Sequence, residues 1–86
     1  DKLYKLSIDL GEETRTICAG IKEFYKKDEL KNKQVIVIAN LAPRVMRGIE
    51  SQGMLLAASS NDHKKVVIIK PQINVKEGSE IIFKNE

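Results

Sequence analysis

The sequence predicts an all-β fold, a small barrel with a short helical connection. Three observations support this: clean two-residue alternation near the start, Val and Ile crowded into short runs, and almost no sustained helical period. In residues 4–10, Tyr4, Leu6, Ile8 and Leu10 alternate with Lys5, Ser7 and Asp9, the pattern of a strand with one face buried and one in water. Gly11, Glu12 and Glu13 break that pattern. Residues 14–19 (TRTICA) are rich in β-formers, so the two segments are expected to fold back as an antiparallel hairpin ended by Gly20. Residues 22–30 alternate poorly, and Asp28 is the expected cap of a helical turn through Leu30. Residues 34–39 (QVIVIA) are strongly β-branched and predict a core strand buried on both faces. Residues 40–53 are expected to form a polar loop with one helical turn near 45–48. An apolar strand over 54–58, a turn over 59–65, a strand over 66–69 stopped before Pro71, and a last short strand over 81–83 complete the chain. Five or six such strands, with 17 Val and Ile residues, argue for closure, because a barrel leaves fewer open edges.

A chain of 86 residues and 9.7 kDa is one small domain, which excludes an enzyme with separate cofactor and substrate lobes. The longest apolar runs, 35–39 and 54–58, fall far short of the ~20 residues a bilayer span needs, so no membrane association is expected. The start, Asp1-Lys2-Leu3-Tyr4, does not resemble a signal peptide. Cys18 is the single cysteine, unable to form an internal disulfide or a cysteine-rich zinc site, and a cytoplasmic, reducing location is expected. The net charge of +3 is modest but unevenly placed: residues 1–30 carry −1, residues 31–70 carry +5 and residues 71–86 carry −1. A concentrated basic region attracts polyanions through counterion release, which makes nucleic acid a candidate partner.

Catalytic arrangements find little support. Gly48 to Gly53 has the two-glycine spacing of a phosphate loop, but Met54 and Leu55 follow where Lys and Ser or Thr are required. His63 is the only histidine and lies in a polar turn, and Ser51 lacks the nucleophile-elbow context that a triad needs. Cys18 lies in a β-rich run and reads as a buried, inert thiol. Glu12-Glu13 and Asp28-Glu29 read as solvated turn charges. No catalytic residue, metal site or cofactor is expected.

The stretch Ala39-Asn40-Leu41-Ala42-Pro43-Arg44-Val45-Met46-Arg47-Gly48-Ile49-Glu50-Ser51-Gln52-Gly53-Met54-Leu55-Leu56-Ala57-Ala58 resembles the signature of a tRNA-binding domain family. That family comprises free-standing tRNA-binding proteins, the C-terminal domain or β subunit of methionyl-tRNA synthetase, and cofactors of the endothelial monocyte-activating polypeptide type. Asp1-Lys2-Leu3-Tyr4, Asp9-Leu10-Gly11, Ile17-Cys18-Ala19-Gly20-Ile21 and Glu29-Leu30 with Lys33 are similar in the same order, so the resemblance covers nearly the whole chain. It implies an OB-fold, a five-stranded barrel, over residues 1–86. The domain would be truncated at its N-terminus relative to the family, whose first strand precedes the Asp-Lys-Leu motif. It further implies a non-catalytic, dimeric binder of folded tRNA, with an aminoacyl-tRNA synthetase as partner or parent. Val45 departs from the lysine common at that position, leaving more to Arg44 and Arg47.

The residue types are consistent with that function. Arg44 and Arg47 offer guanidinium forks suited to phosphate, and Asn40, Ser51 and Gln52 offer neutral groups for sugar or backbone oxygens. Lys33 adds charge, and Met54 is expected to shape the site. Single-strand binders stack bases on aromatics, whereas this chain has only Tyr4, Phe24, Tyr25 and Phe83, which favours phosphate and shape recognition of structured RNA. The rival expectation is a homodimerisation or protein-interaction module with incidental RNA affinity.

Overall fold

Strict alternation of half-buried and exposed residues produces β1 (Tyr4–Asp9). In the computed structural model, which describes residues 2–84, β1 pairs antiparallel with β2 (Thr14–Ala19) in the register Tyr4↔Ala19 to Asp9↔Thr14. The Leu10 N–H donates to the Glu13 carbonyl at 2.8 Å and the Gly11 N–H to Asp9 Oδ1 at 2.8 Å, closing the turn as the sequence predicts. Ile17 at the middle of β2 is fully buried, and with Cys18, Ala19 and Ile21 it makes up the apolar core among the described residues. The Cys18 thiol is therefore enclosed.

The helical turn is α1 (Lys27–Leu30), but Asp28 is not its cap. Lys26 occupies the cap position, and the Glu29 carboxylate reaches back to accept from the Lys26 N–H at 2.7 Å. Asp28 lies inside the first turn, where its charge suits the helix dipole.

Residues 34–39 depart from the expected core strand. Only β3 (Val37–Ile38) forms a ladder, with β6 (Met54–Leu55), and its residues are half-buried. The side of β3 away from β6 has no ladder partner among the described residues and borders a cleft of about 1250 Å³ that also exposes β1. The apolar run after Gly53 is likewise split. Leu56 donates its N–H to the Ile36 carbonyl at 3.0 Å, and its own carbonyl accepts from the Ile69 N–H at 3.1 Å. The chain thus changes partner there and continues as β7 (Ala57–Ser59), paired with β8 (Val66–Ile68).

Residues 40–53 are not a loop with a helical turn. They hold β4 (Arg44–Met46) and β5 (Ile49–Ser51), joined by Arg47 (φ 54°) and Gly48 (φ 79°). Two successive positive φ values define the type I′ turn whose twist matches flanking strands, and β-branched Val45 and Ile49 suit the ladder. Residues 81–83 form no strand in the structure. Their side chains are exposed, Phe83 at 92%, and no ladder edge meets them. The segment is tethered earlier, where the Gln34 side-chain amide accepts from the Val75 N–H at 3.0 Å and donates to the Val75 carbonyl.

The fold is thus all-β with one short helix, as expected, organised as four two-stranded antiparallel ladders that do not join into a closed ring among the described residues. No helix among them is long and apolar enough to cross a membrane.

Candidate nucleic-acid interface

The β4–β5 hairpin is fixed to the core by its last residues. Pairing Arg44 with Ser51, Val45 with Glu50 and Met46 with Ile49 sends alternate side chains to opposite faces. Ser51 turns inward and is only 3% exposed. Its hydroxyl accepts from the Cys18 N–H at 2.9 Å and donates to the Gly53 carbonyl at 3.2 Å. Gln52 donates its N–H to the Thr16 carbonyl at 2.8 Å while its Oε1 accepts from the Thr16 N–H at 3.1 Å. Ser51 and Gln52 therefore stitch the hairpin along the edge of β2 that β1 leaves free, satisfying backbone groups that burial would otherwise penalise.

Arg15 was not singled out by the sequence, yet it closes the base of this segment. Its Nη1 donates to the Ala39 carbonyl at 2.6 Å and to the Gln52 carbonyl at 3.1 Å, while Nη2 pairs with Glu13 at 3.2 Å. One guanidinium thus clips both ends of residues 40–51. The only sequence signal was an arginine on a strand's half-buried face, which does not reveal its carbonyl partners. Gly53 follows at φ 150°, with its Cα so close to β3 that an added Cβ would stand 2.8 Å from the Ile38 carbonyl oxygen.

Held this way, Arg44 and Arg47 are both exposed. The ion pairs among the described residues are Lys2–Glu23 at 2.7 Å and Arg15–Glu13 at 3.2 Å, and neither hairpin guanidinium takes part in one. Val45 is 69% exposed beside them. Met54 is exposed at the start of β6 and, with Arg44 and Ser51, borders a depression of about 400 Å³. Lys33 and Asn40 are exposed but line the larger cleft between β1 and β3. The structure thus groups Arg44, Arg47, Ser51, Gln52 and Met54 at the hairpin and places Lys33 and Asn40 along a separate cleft.

Tyr4 and Tyr25 serve the fold. The Tyr4 hydroxyl donates to the Tyr25 carbonyl at 2.7 Å, and the Tyr25 hydroxyl accepts from the Ile68 N–H at 2.9 Å. His63, at φ 59° in the exposed turn between β7 and β8, has Nδ1 3.2 Å from Ser59 Oγ and no carboxylate partner among the described residues. No cluster of His, Cys, Asp and Glu able to hold a metal occurs among them.

Residues 1–80 match the family model described as "Putative tRNA binding domain". The methionine–tRNA ligase of Pyrococcus horikoshii is 52% identical over 81 residues, which cover 94% of this chain and 11% of that protein. Among solved structures, a MetRS related protein from Pyrococcus horikoshii superposes with a TM-score of 0.87 at 41% identity, covering 94% of this chain and 73% of that one. The chaperone CsaA from Bacillus anthracis superposes with a TM-score of 0.86 at 25% identity, covering 93% and 76%. The chain spans about one ninth of the ligase it matches.

Proposed function

The chain belongs to the tRNA binding domain family, a family of binding rather than catalytic domains, and from that premise we propose that it holds structured tRNA by shape and phosphate contacts. The observation that carries this reading is the pair of unpaired guanidiniums on one hairpin, Arg44 at the start of β4 and Arg47 in its two-residue turn. Arginine presents a planar fork that meets two phosphate oxygens at once, and a fixed backbone lowers the entropy lost when it does so. In this reading Arg44 and Arg47 take phosphates, Asn40 and Lys33 extend the contact along the neighbouring cleft, Ser51 and Gln52 hold the hairpin in place, and Met54 shapes the surface beside it. The strands belong to an OB-fold barrel, the whole of residues 1–86 acts as one binding unit in the cytoplasm, and the domain works as a homodimer. Its service is to methionine–tRNA ligase, as part of that enzyme or beside it: a weak general tRNA site tethered to a specific one raises the effective concentration of substrate.

The test is a filter-binding salt titration with tRNA. Arg44→Ala combined with Arg47→Ala is expected to weaken binding and to flatten the slope of log affinity against log salt by about two units. An unchanged slope would remove the hairpin from the interface. A second reading, a protein-interaction module with incidental RNA affinity, is favoured by the exposed apolar side chains of Ile73, Ile81, Ile82 and Phe83. Dimerisation without measurable tRNA binding would select it.

A further inference from the structure

The depression of about 400 Å³ beside the hairpin is lined by Leu41, Met46, Met54, Ala57 and Ile68, with Arg44 the one charged residue among those bordering it. Leu41 and Met54 stand 44% and 46% exposed at its edge, although leaving an apolar side chain in water forgoes burial energy. Its size lies in the lower part of the range of about 300–1,000 Å³ typical of small-molecule pockets. Two thioethers border it and no aromatic ring does. Thioether sulfur gains most against an aromatic partner, which here has to come from the ligand. No carboxylate borders the depression, and Arg44 favours a ligand that carries negative charge beside it.

We propose that this depression receives one unstacked nucleobase of the bound RNA, its ring against Met46 and Met54 and its phosphate on Arg44. The proposal rests on the reading of the chain as an RNA binder and adds a contact that phosphate recognition alone does not supply. RNA offers such bases at bulges and loops, where they are splayed away from their neighbours and accessible to a protein. An unpaired base has already lost its stacking, so its capture selects for those irregularities over uniform duplex. An aromatic residue of an unfolded polypeptide would satisfy the sulfurs equally but would bring no phosphate for Arg44.

The test compares two RNA hairpins of equal length and charge, one fully paired and one with a single bulged 2-aminopurine, each bound by the full-length protein. A quench or shift of 2-aminopurine fluorescence on binding is expected, with bulged RNA preferred by about tenfold. Ala57→Phe, which fills the depression from an exposed position, and Leu41→Ser, which removes part of its apolar wall, are each expected to abolish that preference while affinity for the paired hairpin stays unchanged. Retained paired-RNA affinity reports that each variant is folded. Equal affinity of the native protein for the two hairpins overturns the base pocket and leaves the phosphate reading standing, whereas loss of all RNA binding overturns both. Release of the bulged RNA by an uncharged aromatic peptide, with no bulge preference, assigns the depression to polypeptide and overturns the proposal.

Discussion

Arg15, Ser51 and Gly53 carry the hairpin without touching its exposed face. Replacing Arg15 with lysine keeps the charge but substitutes a compact ammonium for a fork that now spans the Ala39 and Gln52 carbonyls. Arg15→Lys is expected to lower stability by about 1–3 kcal/mol in urea unfolding, the scale of leaving one such group unsatisfied. It should also weaken tRNA binding with no change in salt slope, because the Arg15 guanidinium is already taken up by two carbonyls and Glu13, and that unchanged slope separates its role from those of Arg44 and Arg47. Ser51→Ala strands the Cys18 N–H in the core and is expected to cost a similar ~1–3 kcal/mol, read as a lower urea midpoint. The arginine pair was legible in the sequence because exposed cations cluster by number alone. The inward turn of Ser51 was not, since it depends on a strand parity that a segment read as loop does not possess. Arg15 was hidden for a related reason: its partners are main-chain carbonyls 24 and 37 residues away, which carry no residue-type signal.

At the scale of elements, hairpin legibility depended on its turn. Asn-Gly or Asp-Gly announces a type I′ turn, whereas Arg47-Gly48 puts a long side chain in the left-handed region and hides the signal. The alternation of β1 and the charged break before β2 were plain because each obeys a local rule, while the division of the apolar run at Leu56 is a choice between two neighbours and leaves no local mark. An ideal Cβ on Gly48 meets nothing within 4 Å, so its substitution isolates backbone strain from packing. Gly48→Ala is expected to cost about 1–2 kcal/mol in thermal or urea unfolding, the penalty of a left-handed L-residue, and to reduce tRNA affinity as the arginines lose their fixed geometry. The β7–β8 turn makes a separate prediction. The Ser60 hydroxyl donates to Asp62 Oδ1 at 2.7 Å and the Lys64 N–H donates to it at 3.1 Å, which together hold the Asp62 carboxyl below the usual carboxylate range. A lowered folded-state value stabilises the fold above the unfolded-chain value of about 3.9, and the contribution is lost as pH falls through the lower folded value. In an NMR titration, Ser60→Ala is expected to move the Asp62 midpoint upward, and a midpoint that stays put would deny the hydroxyl that role.

The whole molecule exposes more surface than its mass requires. Its accessible area is 7170 Å², against about 5,100 Å² for a compact monomer of this size. The radius of gyration, 13.4 Å, also exceeds the ~12 Å expected for this length. Ile73, Ile81, Ile82 and Phe83 contribute to that excess, which explains why a β-branched run near the end read as a strand: its composition suits a sheet, but no described edge receives it. Standard interfaces take about 800 Å² from each partner, well within the excess of roughly 2,000 Å². If the proposed homodimer uses this surface, sedimentation equilibrium of the full-length protein should show a dimer at micromolar concentration. Ile82→Asp with Phe83→Asp should then raise the dissociation constant at least tenfold, because two carboxylates would be desolvated in each protomer. The salt slope of tRNA binding per protomer should stay as it was, since neither residue belongs to the cationic hairpin. A native protein that sediments as a monomer at those concentrations would refute the dimer. A dimer indifferent to the double substitution would move its interface to another face of the molecule.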